Sequence, residues 1–220
     1  MDSLSQWIIY SDHHYLLVNK PAGIPVQDDQ TGDKSLIRLM QAYCKHDLYL
    51  IHRIDRPVSG AVLFAKNKEA QAFLSNENEK KNFLKTYLAL VPKTEIEEKG
   101  TWIDYLVHDK KKFKSSVVSD STMKDAKKAI LHYSIIRKLD NYNILEITTE
   151  TGRFHQIRAQ LSFRNIPIKG DVKYGARRGN KDRSIGLHAW KIEWMHHTLH
   201  KKMMFTIDPP ESFIQMRITE

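Results

Sequence analysis

The stretch LIHRIDRPVSGAVLFAK, residues 50–66, sets one carboxylate, Asp55, between Arg53 and Arg56, with Pro57 and the Ser59-Gly60 pair just beyond. Two readings of these residues stay open. Asp55 can be an acid ion-paired to a neighbouring arginine at a strand end, a common structural arrangement. It can equally be a reactive carboxylate, because a strand-to-loop position stiffened by proline and glycine is where a rigid scaffold presents catalytic groups. A second cluster, TGRFHQIRAQL at residues 151–161, gathers Gly152, Arg153, His155, Gln156 and Arg158. On a helix Arg158 lies one turn from His155 and can reach out to a distant carboxylate.

Other chemistries fit less well. HHTLH puts His196 and His200 four apart. The surroundings alternate like a strand, however, and there is neither a glutamate in the HExxH position nor an evident third ligand, so no metal is expected. His13-His14 reads as a polar turn. Gly175 and Gly179 flank Arg177 and Arg178, but the spacing matches neither nucleotide-binding glycine pattern. That loop can touch phosphates through its arginines without holding a cofactor. Cys44, the single cysteine, lies on an apparent helix with no base patterned beside it and reads as a packing residue. Its solitude also excludes an internal disulfide and a thiolate zinc cluster. A metal-dependent nuclease needs clustered carboxylates, and the Asp55 motif has one.

The elements that must position these groups follow from apolar spacing. Two short strands surround the turn at residues 12–14 and stop at Pro21 and Gly23. A helix is expected over residues 33–45, a strand over 48–55 running into the RPVSG loop, and a strand over 61–65. An amphipathic helix then covers residues 68–83, and KTYLALV is a strand ending near Pro92. Residues 108–128 are polar and lysine-rich, a long connection or irregular hairpin rather than core. Strands at 130–137 and 142–149, a helix from about 155 to 164, and two closing strands complete the chain. The expected fold class is α+β, a mixed, largely antiparallel central sheet flanked by helices and loops.

Composition narrows the partners. The chain has 220 residues, suited to one domain over 1–220, and 35 Lys plus Arg against 26 Asp plus Glu give a net charge of +9. Such a surface attracts polyanions, nucleic acid first among them. No signal peptide is read at the N-terminus, and no apolar run approaches the roughly 20 residues of a membrane span. A soluble, cytoplasmic monomer is expected.

Six ordered motifs then carry a resemblance. HRIDRPVSGAVLFAKN resembles the catalytic motif HRLDxxTSGxxxxAK of the RluA-like pseudouridine synthases. VNKPAGIPV looks like the family's NKPxGxxV segment, KTYLALV its KxYxAxV strand, and TGRFHQIRAQL its TGRxHQIRxHL helix. IPIKGDVKYG resembles its PIxGDxxYG turn, and LHAWKIEW with MMFTIDPPESF its ending. This chain departs at Ile54, Val58, Gln160 and His197, none of them the acid, the tyrosine or the arginine.

The resemblance implies an isomerase that converts uridine in ribosomal or transfer RNA to pseudouridine, with no cofactor and no metal. It implies that Asp55 acts at the ribose as nucleophile or base, and that Arg158 pairs with it. By the same carry-over Tyr87 stacks on the uracil and assists at C5, and Arg53 fills the gap left by the extruded base. Further RNA contacts are expected from Arg56, Lys85, Lys111, Lys112, Lys114, Arg153, His155, Gln156, Arg177 and Arg178. The run of Lys110, Lys111, Lys112 and Lys114, with Lys124, Lys127 and Lys128 beyond, is either a solvated face or an arm that closes on RNA. No S4-type RNA-binding domain is expected ahead of the NKP segment. The rival reading from another class is a silent RNA-binding protein on the same fold.

Overall fold

The computed structural model describes residues 4–75 and 83–214. Its architecture is α+β with a mixed, largely antiparallel sheet. The chain divides into two compact units, residues 1–85 with 188–209, and residues 86–187 with 210–220.

In the first unit β1 (Ile8–Ser11) and β2 (Tyr15–Lys20) form an antiparallel hairpin, and β2 pairs antiparallel with β4 (Ser59–Ala65). All seven residues of β4 are buried, as are Tyr15 to Val18 of β2, so these near-continuous apolar runs are covered on both faces. The short β3 (Tyr49–Leu50) lies against β4. β10 (Leu187–His196) runs parallel to β4 at His188 and Ala189, which makes the sheet mixed, and β11 (Lys201–Thr206) closes antiparallel on β10. Helix α1 (Leu36–Cys44) buries Leu36 and Met40 and ends where Lys45 turns left-handed. Helix α2 (Lys68–Ser75) starts under a side-chain cap, Asn67 Oδ1 accepting from the Ala70 amide at 2.8 Å. The expected continuation of this helix through residues 76–82 lies outside the described residues.

The second unit holds most of β5 (Phe83–Pro92) and an antiparallel run in the spatial order β5, β9 (Tyr142–Thr149), β8 (Lys127–Lys138), β6 (Lys99–Asp109), β7 (Lys114–Val118). On β8, Ala129, Leu131 and Tyr133 are buried while their neighbours are not, the period of a strand with one face on the core. Helix α3 (Gln156–Phe163) covers that face, its Ala159 packing with Leu106, Ala129 and Tyr174. A 3-10 turn at Val172–Tyr174 and α4 (Glu211–Ile214) complete the elements.

Of the two readings of residues 108–128 the hairpin is the one observed: they contain the end of β6, a tight turn in which Asp109 Oδ1 accepts from the Lys111 and Lys112 amides at 2.9 Å, β7, and the start of β8. Ser115 is buried there. The strand expected over residues 48–55 stops at Leu50. Beyond it the chain satisfies its polar groups by other means, described next.

Candidate active site

Asp55 stands on the loop between β3 and β4, and three devices fix that loop. His52 Nε2 accepts the Leu63 amide at 2.9 Å, so an imidazole replaces the strand partner that residues 51–55 would otherwise supply. The Gly23 amide donates to the Arg56 carbonyl at 2.8 Å, and Arg56 Nε returns a bond to the Gly23 carbonyl at 2.8 Å. Lys20, fully buried at the end of β2, donates from Nζ to the carbonyls of Pro21, Ile24 and Arg56 at 3.0, 2.9 and 3.1 Å. Three acceptors match the three protons of an ammonium. Burial pulls the Lys20 ammonium down to about 7, against which the Asp55 carboxylate favours the charged form. The peptide carbonyl following Asp55 is therefore clamped by a buried cation, while the Val58 amide closes a turn onto the Asp55 carbonyl at 3.0 Å.

The Ser59-Gly60 pair anchors the other end. Gly60 has φ +108°, and a Cβ there would meet the Ala189 carbonyl oxygen at 2.3 Å, so only glycine allows β4 and β10 to approach. Ser59 Oγ lies 2.8 Å from His188 Nδ1, and His188 Nε2 lies 2.9 Å from the Ile207 carbonyl. A carbonyl only accepts, so Nε2 carries the ring proton and Nδ1 receives the serine hydroxyl. Burial lowers the His188 pKa, in keeping with a neutral ring.

In the second unit Arg158 is buried on α3. Its Nε and Nη2 donate to the two oxygens of buried Asp171 at 2.7 and 2.9 Å, a bidentate fork. The guanidinium carbon sits 4.8 Å from the Tyr174 ring centre. The Tyr174 hydroxyl accepts from the Ser115 amide at 2.9 Å and lies 3.0 Å from His155 Nδ1, which ties β7 and the start of α3 to the turn. Tyr87, on β5 opposite Ile147, is buried.

The expected RNA-contacting residues fall into different settings. Arg53, Lys111, Lys112, Arg153, Arg177 and Arg178 are exposed. Arg56 is half-buried and spends its guanidinium on Thr31 and on the acids Asp29 and Asp33, so its charge serves the protein's own loop. Lys85 is half-buried, 5.3 Å from the Phe83 ring centre, and burial lowers its ammonium to about 8. Lys114 Nζ stands 5.0 Å over Tyr174. Gln156 departs furthest from expectation. It is buried, accepting from Thr151 Oγ1 and the Arg153 amide at 2.8 and 3.0 Å and donating to the Ile130 carbonyl at 3.0 Å. Its amide is committed to shaping the turn before α3.

Sequence reasoning missed Lys20, Asp171 and Tyr174 as supports of the site. Each lies in a quoted motif, and the available signal was chemical: a lone charge beside apolar residues expected in the core. Among the described residues no group of three or more His, Cys, Asp or Glu side chains could hold a metal. His196 Nε2 instead meets Asp12 at 2.7 Å. No described helix is long and apolar enough to cross a membrane.

Residues 14–163, which contain the Asp55 loop, Tyr87 and Arg158, match the family described as RNA pseudouridylate synthase. The chain belongs to that family. It is thereby an enzyme of the pseudouridine synthase class of isomerases. It is 30% identical over 221 residues to the "Uncharacterized RNA pseudouridine synthase YlyB" of Bacillus subtilis, covering 95% of this chain and 71% of that protein. It is 31% identical over 219 residues to the "Ribosomal large subunit pseudouridine synthase C" of Buchnera aphidicola, covering 90% of this chain and 65% of that protein. The chain thus spans about two thirds of the length of these synthases. The fold is that of "Human RNA Pseudouridylate Synthase Domain Containing 4", with TM-score 0.78 and 21% identity over 96% of this chain and 91% of that one.

Proposed function

We propose that this synthase isomerises uridine in RNA, with Asp55 as the acting carboxylate, as a monomer whose two units form one catalytic domain. The observation that carries the reading is the Asp55 loop. An acid inside the matched family region stands on a turn clamped from both sides by Lys20, Gly23 and the Ser59-His188 bond. In the reaction the bond from uracil N1 to the ribose breaks and a bond from C5 to the same carbon forms. The C5 proton leaves and N1 gains one, so nothing is oxidised and no co-reactant is consumed. Asp55 acts at the ribose as nucleophile or base, Arg158 pairs with it, and Tyr87 stacks on the uracil. Arg53, exposed beside the acid, takes the space the base vacates. Extruding the base costs a few kcal/mol. Phosphate contacts from Lys85, Lys111, Lys112, Lys114, Arg153, Arg177 and Arg178 offset that cost. Ribosomal RNA is the first substrate to try, because several relatives are named for the ribosomal large subunit.

Asp55→Asn keeps the side chain's shape and removes its charge. The variant is expected to fold and to bind RNA, while ribosomal RNA from cells carrying it lacks pseudouridine at every site that depends on the wild-type gene. Turnover near the wild-type rate would overturn the assignment.

A further inference from the structure

The second unit carries an aromatic column that the chemistry above does not use. His108, near the end of β6, stacks on Phe154 with centroids 4.2 Å apart and planes inclined by 28°. Phe154 stacks in turn on His155, at 3.9 Å and 20°. Consecutive side chains in extended backbone point to opposite sides, so this contact needs an unusual bend. His155 provides it with φ 51°, the left-handed region that non-glycine residues rarely occupy. The column is footed on buried Tyr174, whose ring meets His155 edge-on at 5.5 Å and whose hydroxyl lies 3.0 Å from Nδ1. Its top, His108, is exposed.

Strand parity places the column on the side of the sheet that bears Tyr87. Gly100 of β6 aligns with Tyr133, Ile147 and Tyr87 across the four strands, and His108 lies an even number of residues along β6 from Gly100. His155 is also one helical turn from Arg158. Cations outnumber acids along the neighbouring chain: Lys110, Lys111 and Lys112 follow His108 and Asp109 in the hairpin turn, Lys112 Nζ lying 3.9 Å from Asp109 Oδ2, and exposed Arg153 precedes Phe154. Inside it, burial, with Arg158 nearby, holds the His155 pKa down to about 3, which leaves a neutral ring for stacking.

We propose that His108 caps a stacking platform for an unpaired RNA base flanking the target uridine, with the neighbouring phosphates held by the cations of the turn. The platform rests on the reading of RNA as substrate. A flat exposed ring on a rigid column, with several cations on the adjoining turn, is the arrangement that takes bases without regard to sequence. The cation excess favours a polyanionic strand over an aromatic side chain of a protein.

The test uses the full chain and two probes of equal charge, a nine-nucleotide oligouridylate and its abasic counterpart. Wild type is expected to prefer the oligouridylate. His108→Ala should lose about tenfold in affinity for the oligouridylate. It should bind the abasic strand as wild type does, with an unchanged salt slope, and His108→Tyr should restore the base preference. An equal loss on both probes would make His108 a charge contact and overturn the platform, as would no loss on either or no binding of oligouridylate by wild type. Pseudouridine formation in ribosomal RNA is scored separately. Its absence would sink the enzymatic reading while leaving a His108-dependent base preference standing.

Discussion

Asp55 sits on a half-buried loop whose shape is held by main-chain carbonyls, one buried ammonium and an imidazole, whereas Arg158 lies buried in a fork of side-chain charge. The first support is distributed. Removing any one of Lys20, His52 or Ser59 leaves the others in place. The second is concentrated, because Arg158 and Asp171 are respectively 4% and 1% exposed and both Asp171 oxygens accept from the one guanidinium. The difference teaches where damage should be graded and where it should be abrupt.

The largest expected effect is therefore in the second unit. Arg158→Ala abandons the Asp171 carboxylate in a buried site and removes one of the two cations over Tyr174. A loss of about 3–5 kcal/mol is expected, as for other broken buried pairs. Chemical denaturation measures it directly, and stability within 1 kcal/mol of wild type would show that Asp171 finds water or another donor.

Ser59→Ala tests the distributed side. It removes the buried hydroxyl bond to His188 Nδ1, which costs about 1–3 kcal/mol, while the Lys20 and Gly23 bonds to Arg56 survive. The comparison sharpens if stability falls modestly and turnover with it. A loss as large as that of Arg158→Ala would show that the Asp55 loop depends on a single bond after all.

A smaller, pH-dependent effect belongs to His155. Burial holds its folded pKa near about 3, against an ordinary value of 6.5. Between these values the unfolded chain takes up a proton that the folded ring refuses, so acid favours unfolding across this window by about 1.4 kcal/mol per pH unit. His155→Asn should remove one proton's worth of that slope between pH 6 and pH 4. A denaturation series at several pH values reads the difference, and parallel curves for the two proteins would contradict the burial-driven shift.

Sequence pattern and tertiary contact contributed unequally. β2, β4 and β10 were legible because long apolar runs are buried wherever the chain goes, and the Asp55 and Arg158 motifs were legible because their residue types and order are unusual together. The strand reading of residues 48–55 failed at Leu50 for a non-local reason. The apolar spacing of Leu50 and Ile54 suits a strand, but whether a ladder forms depends on partners far along the chain, and here the His52 ring took the Leu63 amide instead. β6, which the sequence reading did not anticipate, is half polar because only its α3-facing side is covered. Gln156 was expected to contact RNA from its place in the TGRFHQIRAQL motif, and burial became possible only once Thr151, Arg153 and Ile130 had met its amide. Composition and motif order thus determined the family, the sheet and the candidate acid, because those depend on what the residues are. Which charges are buried, and which carbonyls, rings and carboxylates hold them there, was decided only by folding, because a charge leaves water only where its partners have been brought to it.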